Sequence, residues 1–262
     1  MFKFEEGKCY NMPAHFGGSV FDPDTKAYYN DIVSLVYRYT TDGDRLSNYI
    51  PEGFELIKPE LTVTYQQCRE VEWLAGSSYN LLTVTAPVRF NGKQDQLEGP
   101  FVLVVWENNT TPILTGNIKM GVPKIYADIE DLHILADTYR TRLSFEGSTF
   151  LEIEMTEPKP MDEDQVKALS TDASFFAWRY IPKVGAPGAD LSQPILFPQR
   201  YEPHAGWIGS GTINWTSLRP DQNPMQWWII NALAELPMID MASVMMTQGR
   251  AVLMEAQGRV LQ

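Results

Sequence analysis

The stretch GNIKMGVPKIYADI, from Gly116 to Ile129, holds one lysine that directly follows a proline. That residue, Lys124, lies in an aliphatic setting with Val122 before it and Ile125 after it, and the apolar run FVLVVW (101–106) leads toward it. Such a lysine is either a solvated turn residue, as most lysines are, or an amine removed from water with a lowered pKa. The apolar surroundings favour the second alternative, an amine removed from water with a lowered pKa.

The composition predicts a globular protein that binds neither nucleic acid nor an anionic membrane surface. The 262 residues include 44% hydrophobic and 12% aromatic side chains, enough for a sizeable core. The net charge is −12 and no block of lysine or arginine occurs. Binding to nucleic acid or to an anionic membrane surface is therefore not expected, because both need a basic patch.

Cysteine usage and apolar runs predict a cytoplasmic chain without a metal site. Cys9 and Cys68 have no metal-ligand spacing and define no disulfide framework. The opening residues MFKFEEGKCYNMP carry two glutamates and no apolar run, so no signal peptide is expected there. The most apolar late stretch, 225–246, is interrupted by acidic residues and a proline, which argues against a membrane span.

Alternating and β-branched segments predict a mainly β protein. In DIVSLVYRYT (31–40), Ile32, Ser34, Val36 and Arg38 share one face while Val33, Leu35, Tyr37 and Tyr39 share the other, so we expect both faces to be covered. A hairpin is expected around Glu146-Gly147. Further strands are expected at 61–68, 79–92, 101–108, 111–118, 140–157, 175–184, 207–218 and 241–256.

Few helices are predicted, and their packing sets the fold class. Asp42 or Asp44 caps a short helix that ends before Pro51. Asn223 and Pro224 begin a longer one, whose apolar stripe is Met225, Trp228, Ile229, Ala232, Leu233 and Leu236. With no regular βαβ alternation, an antiparallel sheet or barrel with packed helices follows. Residues 1–27 are expected to form an N-terminal arm, and residues 28–262 one domain.

Common catalytic motifs are absent, which leaves the lysine. The chain has no G-x-S-x-G elbow, no phosphate loop and no dinucleotide fingerprint, and its three histidines are scattered. A neutral lysine amine attacks a ketone to form a Schiff base that withdraws electrons from the adjacent carbon. Ile125 is uncharged and Lys119 is five residues away. Removal from water must therefore activate Lys124.

The run ENNTTPILTGNIKMGVPKIYADI (107–129) resembles the signature of the acetoacetate decarboxylase superfamily, whose members carry an acidic-Asn turn, a Gly-Arg-Glu triplet and then Pro-Lys. Three further stretches are similar, VYRYTTDGDRLSNYIPEGFEL (36–56), WLAGSSYNLLTVTAPVRFNG (73–92) and ELPMIDMASVMM (235–246). The resemblance implies large bent antiparallel sheets that form a cone or pseudo-barrel around a buried pocket. It also implies that Lys124 is the Schiff-base lysine.

The chain departs from the decarboxylase pattern in its charged residues. Ile125 stands for the second lysine, and Asn117 and Ile118 stand for the arginine and glutamate of the triplet. These departures resemble the divergent branch that includes aldolase-dehydratases acting on pyruvate and aldehydes through the same imine, with members in secondary metabolism. The resemblance further implies a homo-oligomer and no cofactor.

Five side chains are candidates to act with Lys124, each with a structural alternative. Tyr79 is a proton shuttle or a core tyrosine, and Glu107 is an acid/base group or part of a plain hairpin turn. Gln66 and Asn80 are neutral hydrogen-bond partners, although Gln66 can equally point to solvent. Arg38 anchors a substrate carboxylate or serves an internal ion pair.

Two classes of function follow. The first is a lyase in which Lys124 forms an imine with a 2-oxo or 3-oxo acid, followed by decarboxylation, condensation or dehydration. The second is a non-catalytic barrel, or a non-covalent cyclase or isomerase, for a small hydrophobic metabolite. In that case Ile118, Met120, Val122 and Ile125 would line its pocket.

Overall fold

The computed structural model describes residues 1–262 and consists mainly of β-strands. A two-stranded sheet near the N-terminus precedes one sheet of 14 strands. The strands are β1 (Lys8–Cys9), β2 (Ser19–Val20), β3 (Ala27–Thr40), β4 (Phe54–Leu56), β5 (Glu60–Val71), β6 (Ser77–Asn91), β7 (Gln96–Glu107), β8 (Lys124–Tyr126), β9 (Asp128–Ile129), β10 (His133–Leu135), β11 (Thr138–Phe145), β12 (Ser148–Pro160), β13 (Thr171–Pro182), β14 (Ala189–Trp215), β15 (Asp240–Leu253) and β16 (Arg259–Val260).

Four short α-helices accompany the sheet, and the predicted mainly β class is confirmed. They are α1 (Gly43–Ser47), α2 (Thr110–Leu114), α3 (Glu163–Ala168) and α4 (Trp227–Ala234). A π-helical turn, Thr115–Met120, continues α2. No helix has the length and apolar character needed to cross a membrane.

The large sheet curls back on itself without forming a regular closed barrel. Its main order is β10-β11-β12-β14-β13-β7-β6-β5-β3-β15. The 27-residue strand β14 pairs with β13, β15 and β12 along successive parts of its length. The contact between β7 and β13 is a single parallel pair, Phe101 with Phe176. The predicted cone or pseudo-barrel is confirmed as one curled sheet, which does not form a regular closed barrel.

Strand β3 separates the main core from a cavity, as its alternation predicts. Leu35, Tyr37 and Tyr39 belong to a core cluster of 26 buried residues. Ile32, Ser34, Val36 and Arg38 line a cavity on the opposite face. The neighbouring strands β5 and β6 pair with β3 and with each other in antiparallel register. Alternation therefore gives each of these strands one core face and one cavity face.

A bulge in β7 changes which of its residues face the cavity. Val84 pairs with Val104 while Thr85 pairs with Val102, so Leu103 is an extra residue. Val102 before the bulge and Glu107 after it both line the cavity, although simple alternation would place them on opposite faces.

One predicted strand is helical. Residues 111–118, expected to be extended, form most of α2 and the following π-helical turn. The Asn109 side chain accepts a hydrogen bond from the Thr111 amide at 3.0 Å and caps α2. Pro112 lies in the first turn, where its missing N–H costs nothing. These two local signals outweigh the β-branched composition of the segment.

The longer predicted helix begins later than expected. Asn223 and Pro224 lie in a turn, and α4 starts at Trp227 with Gln226 as its N-cap residue. Its buried residues are Ile230 and Leu233, whereas Trp228 and Met225 are exposed, so the predicted apolar stripe is wrong in part.

Other local predictions are confirmed. Asp42 caps α1 by accepting a hydrogen bond from the Arg45 amide at 3.0 Å. The hairpin at Glu146-Gly147 connects β11 to β12. Within the predicted N-terminal arm, β1 and β2 form a sheet separate from the large one, and the division of the chain into an arm and one domain stays a prediction. Residues 161–170 contain α3, with a complete capping box at Asp162 and Gln165.

Gln226 joins α4 to the sheet, and its removal should destabilise the fold. The buried Trp106 indole donates to Gln226 Oε1 at 3.0 Å, and Gln226 Nε2 donates to the Tyr126 carbonyl at 2.8 Å. Because Gln226→Ala leaves these buried groups without partners, we expect a loss of about 1–3 kcal/mol in the free energy of unfolding. Urea denaturation measures it, with the exposed Gln257→Ala as control. Equal stabilities of the two variants would contradict this role.

Candidate active site

The cavity on the concave side of the curled sheet has a volume of about 460 Å³. Strands β3, β5, β6, β7, β14 and β15 supply most of its wall, and apolar side chains predominate. Only three charged side chains line it, Arg38, Glu107 and Lys124. The cavity thus combines a largely uncharged wall with a few ionisable groups, which is typical of small-molecule sites.

Lys124 enters the cavity because β8 adds to β7 in parallel. Lys124 pairs with Val105, which also faces the cavity, and Ile125 pairs with Trp106 in the core. Successive strand residues point to opposite faces, so Ile125 packs against the core cluster and away from the Lys124 amine. The expectation that Ile125 lines the pocket is therefore wrong, and a lysine at that position would not lie beside Lys124.

The turn before β8 holds the Lys124 backbone and leaves room for its side chain. Asn117 Nδ2 donates to the Lys124 carbonyl at 3.0 Å. Gly121 ends the π-helical turn with a positive φ of 71°. A Cβ added to Gly116 would lie 2.5 Å from Lys124 Cε and 2.9 Å from Nζ. Only glycine at position 116 lets the amine occupy this place.

Lys124 and Glu107 form a buried ion pair. Nζ lies 2.8 Å from Oε1, with side-chain exposures of 13% for Lys124 and 0% for Glu107. Apart from this contact with Lys124, neither carboxylate oxygen has a hydrogen-bond partner. Burial raises the pKa of the Glu107 carboxyl, and the charge of Lys124 offsets this shift only in part. Glu107 is therefore poised to hold a proton beside the amine.

This contact changes the expected activation of the lysine. The sequence predicted that removal from water alone would act on Lys124, whereas the structure places a buried carboxylate 2.8 Å from its amine. Glu107 lies at the end of β7, before the residues 108–109 that lead into α2, so it is not part of a plain hairpin turn.

A neutral wall adjoins the pair. The Tyr79 hydroxyl donates to the Tyr29 hydroxyl at 3.2 Å, and both side chains line the cavity with Cys68. Burial raises the pKa of the Tyr79 phenol well above its usual value and the pKa of the Cys68 thiol to about 12. Both groups therefore stay protonated at neutral pH, and Tyr79 can donate a hydrogen bond but is not a base.

The structure brings most of the other predicted residues to the same cavity. Gln66 lines it and donates from Nε2 to Ser34 Oγ at 3.1 Å, so it does not point to bulk solvent. Met120 and Val122 line it beside Lys124, whereas Ile118 is exposed outside it. Arg38 lines the cavity and pairs with Glu60 at 3.4 Å, so the predicted ion pair is present, and its role as anchor of a substrate carboxylate stays a prediction.

Asn80 is the predicted site residue that lies elsewhere. Its Nδ2 donates to the Ile129 carbonyl at 3.1 Å and to Asp131 Oδ1 at 2.7 Å, on the face of β6 opposite to Tyr79. The prediction of a pocket role for Asn80 is therefore corrected. Alternation from Tyr79 would have excluded it.

Sequence reasoning missed a set of hydroxyl groups in the wall. They are separated from Gln66 on β5, or from Tyr79 on β6, by an even number of residues, so they face the same side of the sheet. This alternation is the signal that could have identified them. The set comprises Thr62, Thr64, Thr83 and Thr85.

Comparison with known proteins agrees with this architecture. The sequence model described as acetoacetate decarboxylase (ADC) matches residues 11–253. The chain belongs to the acetoacetate decarboxylase family. An acetoacetate decarboxylase of Burkholderia ambifaria (strain MC40-6) is 25% identical over 182 residues, 68% of this chain and 70% of the relative. This membership supports an enzyme of the lyase or decarboxylase type.

Solved structures share the fold at lower identity. The acetoacetate decarboxylase of Legionella pneumophila superposes with a TM-score of 0.73 at 19% identity, over 94% of this chain and 92% of that one. The enduracididine biosynthesis enzyme MppR, complexed with pyruvate, gives a TM-score of 0.73 at 16% identity, over 98% of each chain. The family match confirms the predicted superfamily, and these structures show that the chain has its fold.

The contact between Gly116 and Lys124 is testable by a double-mutant cycle. Gly116→Ala should lower the free energy of unfolding by about 1–3 kcal/mol, because the added methyl overlaps the lysine side chain. In a Lys124→Ala background, the same change should cost almost nothing. Urea denaturation of the four proteins gives the coupling energy. Additive effects would contradict the packing described here.

The buried carboxyl of Glu107 should make stability depend on pH. Because its pKa is raised, the folded protein retains a proton that the unfolded chain has lost above the ordinary value of 4.5. The wild type should therefore lose stability relative to Glu107→Gln as the pH rises from 4.5, by up to about 1.4 kcal/mol per pH unit.

Chemical denaturation from pH 4 upward measures this difference. Glu52→Gln, which removes an exposed carboxylate, is the matched control. A difference between wild type and Glu107→Gln that stays constant or grows in favour of the wild type would show that Glu107 has no raised pKa.

Proposed function

We propose that this protein is a lyase that forms an imine between Lys124 and the carbonyl carbon of an oxo acid. The observation that carries the proposal is the Lys124 amine inside a cavity, 2.8 Å from the buried Glu107 carboxylate. A neutral amine must attack the carbonyl, and an acid must protonate the departing hydroxyl. The two side chains can fill these roles in succession.

Glu107 is the proton carrier in this proposal. It takes a proton from the Lys124 ammonium, which frees the amine lone pair to attack the carbonyl carbon. The attack gives an oxyanion and a secondary ammonium, and a proton that passes from this nitrogen to the oxygen completes the carbinolamine. Its hydroxyl leaves as water when Glu107 returns the first proton, and the protonated imine remains. The raised pKa of Glu107 suits this exchange, because a carboxyl acid of ordinary pKa would hold a proton too weakly at neutral pH.

The protonated imine then accepts electrons from the bond to be broken. With a 3-oxo acid, the bond to the carboxylate breaks and carbon dioxide leaves. With a 2-oxo acid, a proton leaves the carbon next to the imine, and the enamine can add to an aldehyde. Tyr79 and Gln66 supply neutral hydrogen bonds near the reacting groups.

The residues of this chain favour a 2-oxo acid over acetoacetate. Asn117 and Ile118 replace the arginine and glutamate of the decarboxylase triplet, and Asn117 is committed to the Lys124 carbonyl. Among structures of the same fold, MppR was solved with pyruvate and with the condensation product of pyruvate and imidazole 4-carboxaldehyde. Condensation or dehydration is therefore the proposed reaction class.

A homo-oligomer and a cytoplasmic location stay predictions of the family resemblance and of the sequence composition. Light scattering after gel filtration measures the first directly.

Reductive trapping tests the imine. We expect incubation with pyruvate and sodium borohydride to add the mass of the reduced adduct to the peptide that contains Lys124. Lys124→Ala should show no adduct, because no other lysine lines the cavity. Acetoacetate tested in parallel distinguishes 2-oxo from 3-oxo acids.

Lys119→Ala is the matched control, since Lys119 lies five residues away and pairs with Glu255 at 2.8 Å outside the cavity. It should be trapped as the wild type is. An unmodified Lys124 with every oxo acid tried, in protein with a normal thermal melt, would refute the imine and favour the non-covalent binding of a small metabolite.

A further inference from the structure

The size of the cavity exceeds what a three- or four-carbon acid requires. Its volume of about 460 Å³ lies in the range of roughly 300–1,000 Å³ that is typical of pockets for drug-sized ligands. Pyruvate bound at Lys124 would leave most of this space to water. The other side chains of the cavity wall therefore indicate the chemistry of the rest of the substrate.

A band of hydroxyl groups crosses that wall. Thr62 pairs across the sheet with Thr85, and Thr64 pairs with Thr83, all on the cavity face of β5 and β6. None of these four hydroxyls has a hydrogen-bond partner within the protein, unlike Thr247, which bonds the Tyr201 hydroxyl at 2.7 Å. Unpartnered hydroxyls favour a polar ligand over a hydrocarbon chain, because an apolar chain would leave them desolvated.

Arg38 lies at one end of this band. Arg38 on β3 pairs with Thr62 on β5. The next pair on the same face of these two strands is Val36 with Thr64. Its guanidinium makes no hydrogen bond to the protein, and 44% of its side chain is exposed. The only ion pair it makes is with Glu60, from Nε to Oε1 at 3.4 Å.

Glu60 does not neutralise Arg38 alone. Its other oxygen, Oε2, lies 3.2 Å from Lys58 Nζ. One carboxylate is thus shared by two cations, and the cluster keeps one net positive charge at the rim of the cavity. The terminal guanidinium N–H groups remain free for the two-point contact that arginine makes with a carboxylate.

We propose that Arg38 is a specificity-determining residue that binds a second anionic group of the substrate, on β3, four strands across the sheet from the Lys124 that captures the carbonyl. The substrate class is an extended oxo acid with a distal carboxylate, whose chain passes the threonine band. This assignment rests on the proposed imine chemistry for its reacting end, but the anion site at Arg38 can be tested without it.

A matched pair of oxo acids tests the assignment. 2-Oxoadipate and 2-oxohexanoate have equal carbon chains and differ in the distal carboxylate. We expect half-maximal borohydride trapping of Lys124 at about tenfold lower concentration for 2-oxoadipate. Arg38→Met, which keeps the aliphatic stem, should abolish this preference and leave the value for 2-oxohexanoate unchanged. Arg38→Lys should keep part of it.

Glutarate, a dianion without a ketone, tests the anion site independently of the imine. Calorimetry should show binding to the wild type, about tenfold weaker binding to Arg38→Met, and tighter binding to Glu60→Gln, in which Arg38 loses its competing carboxylate. Arg219→Met, outside the cavity, is the control and should bind as the wild type does.

The outcomes separate the two proposals. Trapping of both oxo acids at equal concentrations, or a preference that survives Arg38→Met, would refute the role of Arg38 and leave the imine intact. Absence of trapping together with Arg38-dependent glutarate binding would refute the imine and support the anion site. Glutarate binding that is equal in wild type and Arg38→Met would refute the anion site in either case.

Discussion

The contact between the Lys124 amine and the Glu107 carboxylate constrains the structure more than any other interaction. Burial of either charge alone would destabilise the fold, because a charge loses its hydration in a dry interior. The opposite charge offsets part of this loss. The pair exists only if β8 lies parallel to β7, if Glu107 faces the cavity and if nothing fills the space beside the lysine side chain. The π-helical turn after α2 satisfies the first condition by returning the chain to the edge of β7.

The other two conditions are met by local irregularities. The extra residue Leu103 shifts the alternation of β7 so that Glu107 faces inward, and Gly116 leaves room for the lysine. Both features weaken regular secondary structure, since a bulge interrupts the hydrogen-bond ladder and glycine is unfavourable within a helix. Their occurrence on the two sides of one ion pair is what is expected where function outweighs local regularity.

Alternation along the strands predicts many of the side chains that face the cavity, but it does not predict all of them. Alternation in 31–40 assigns Ser34 and Arg38 to one face, and the structure confirms it. The same rule, applied from Tyr79, would have excluded Asn80. Glu107 was a candidate to act with Lys124, but its orientation toward the cavity was not predictable, because it depends on a bulge that composition does not reveal. In Thr111–Ile118 the β-branched composition predicts a strand, but the segment is helical. The Asn109 cap and Pro112 in the first turn favour the helix.

The charged groups that would react with the substrate and the one that would recognise it are different residues of the cavity wall. Lys124 and Glu107 cancel as a pair, whether they exist as ions or share the proton in neutral form, so the reacting end has little net charge to attract an acid substrate. The whole chain carries a net charge of −12 and repels anions at long range. A substrate with a second anionic group therefore needs a positive charge elsewhere in the cavity. Arg38, the only other cation in its wall, is the group that can supply it.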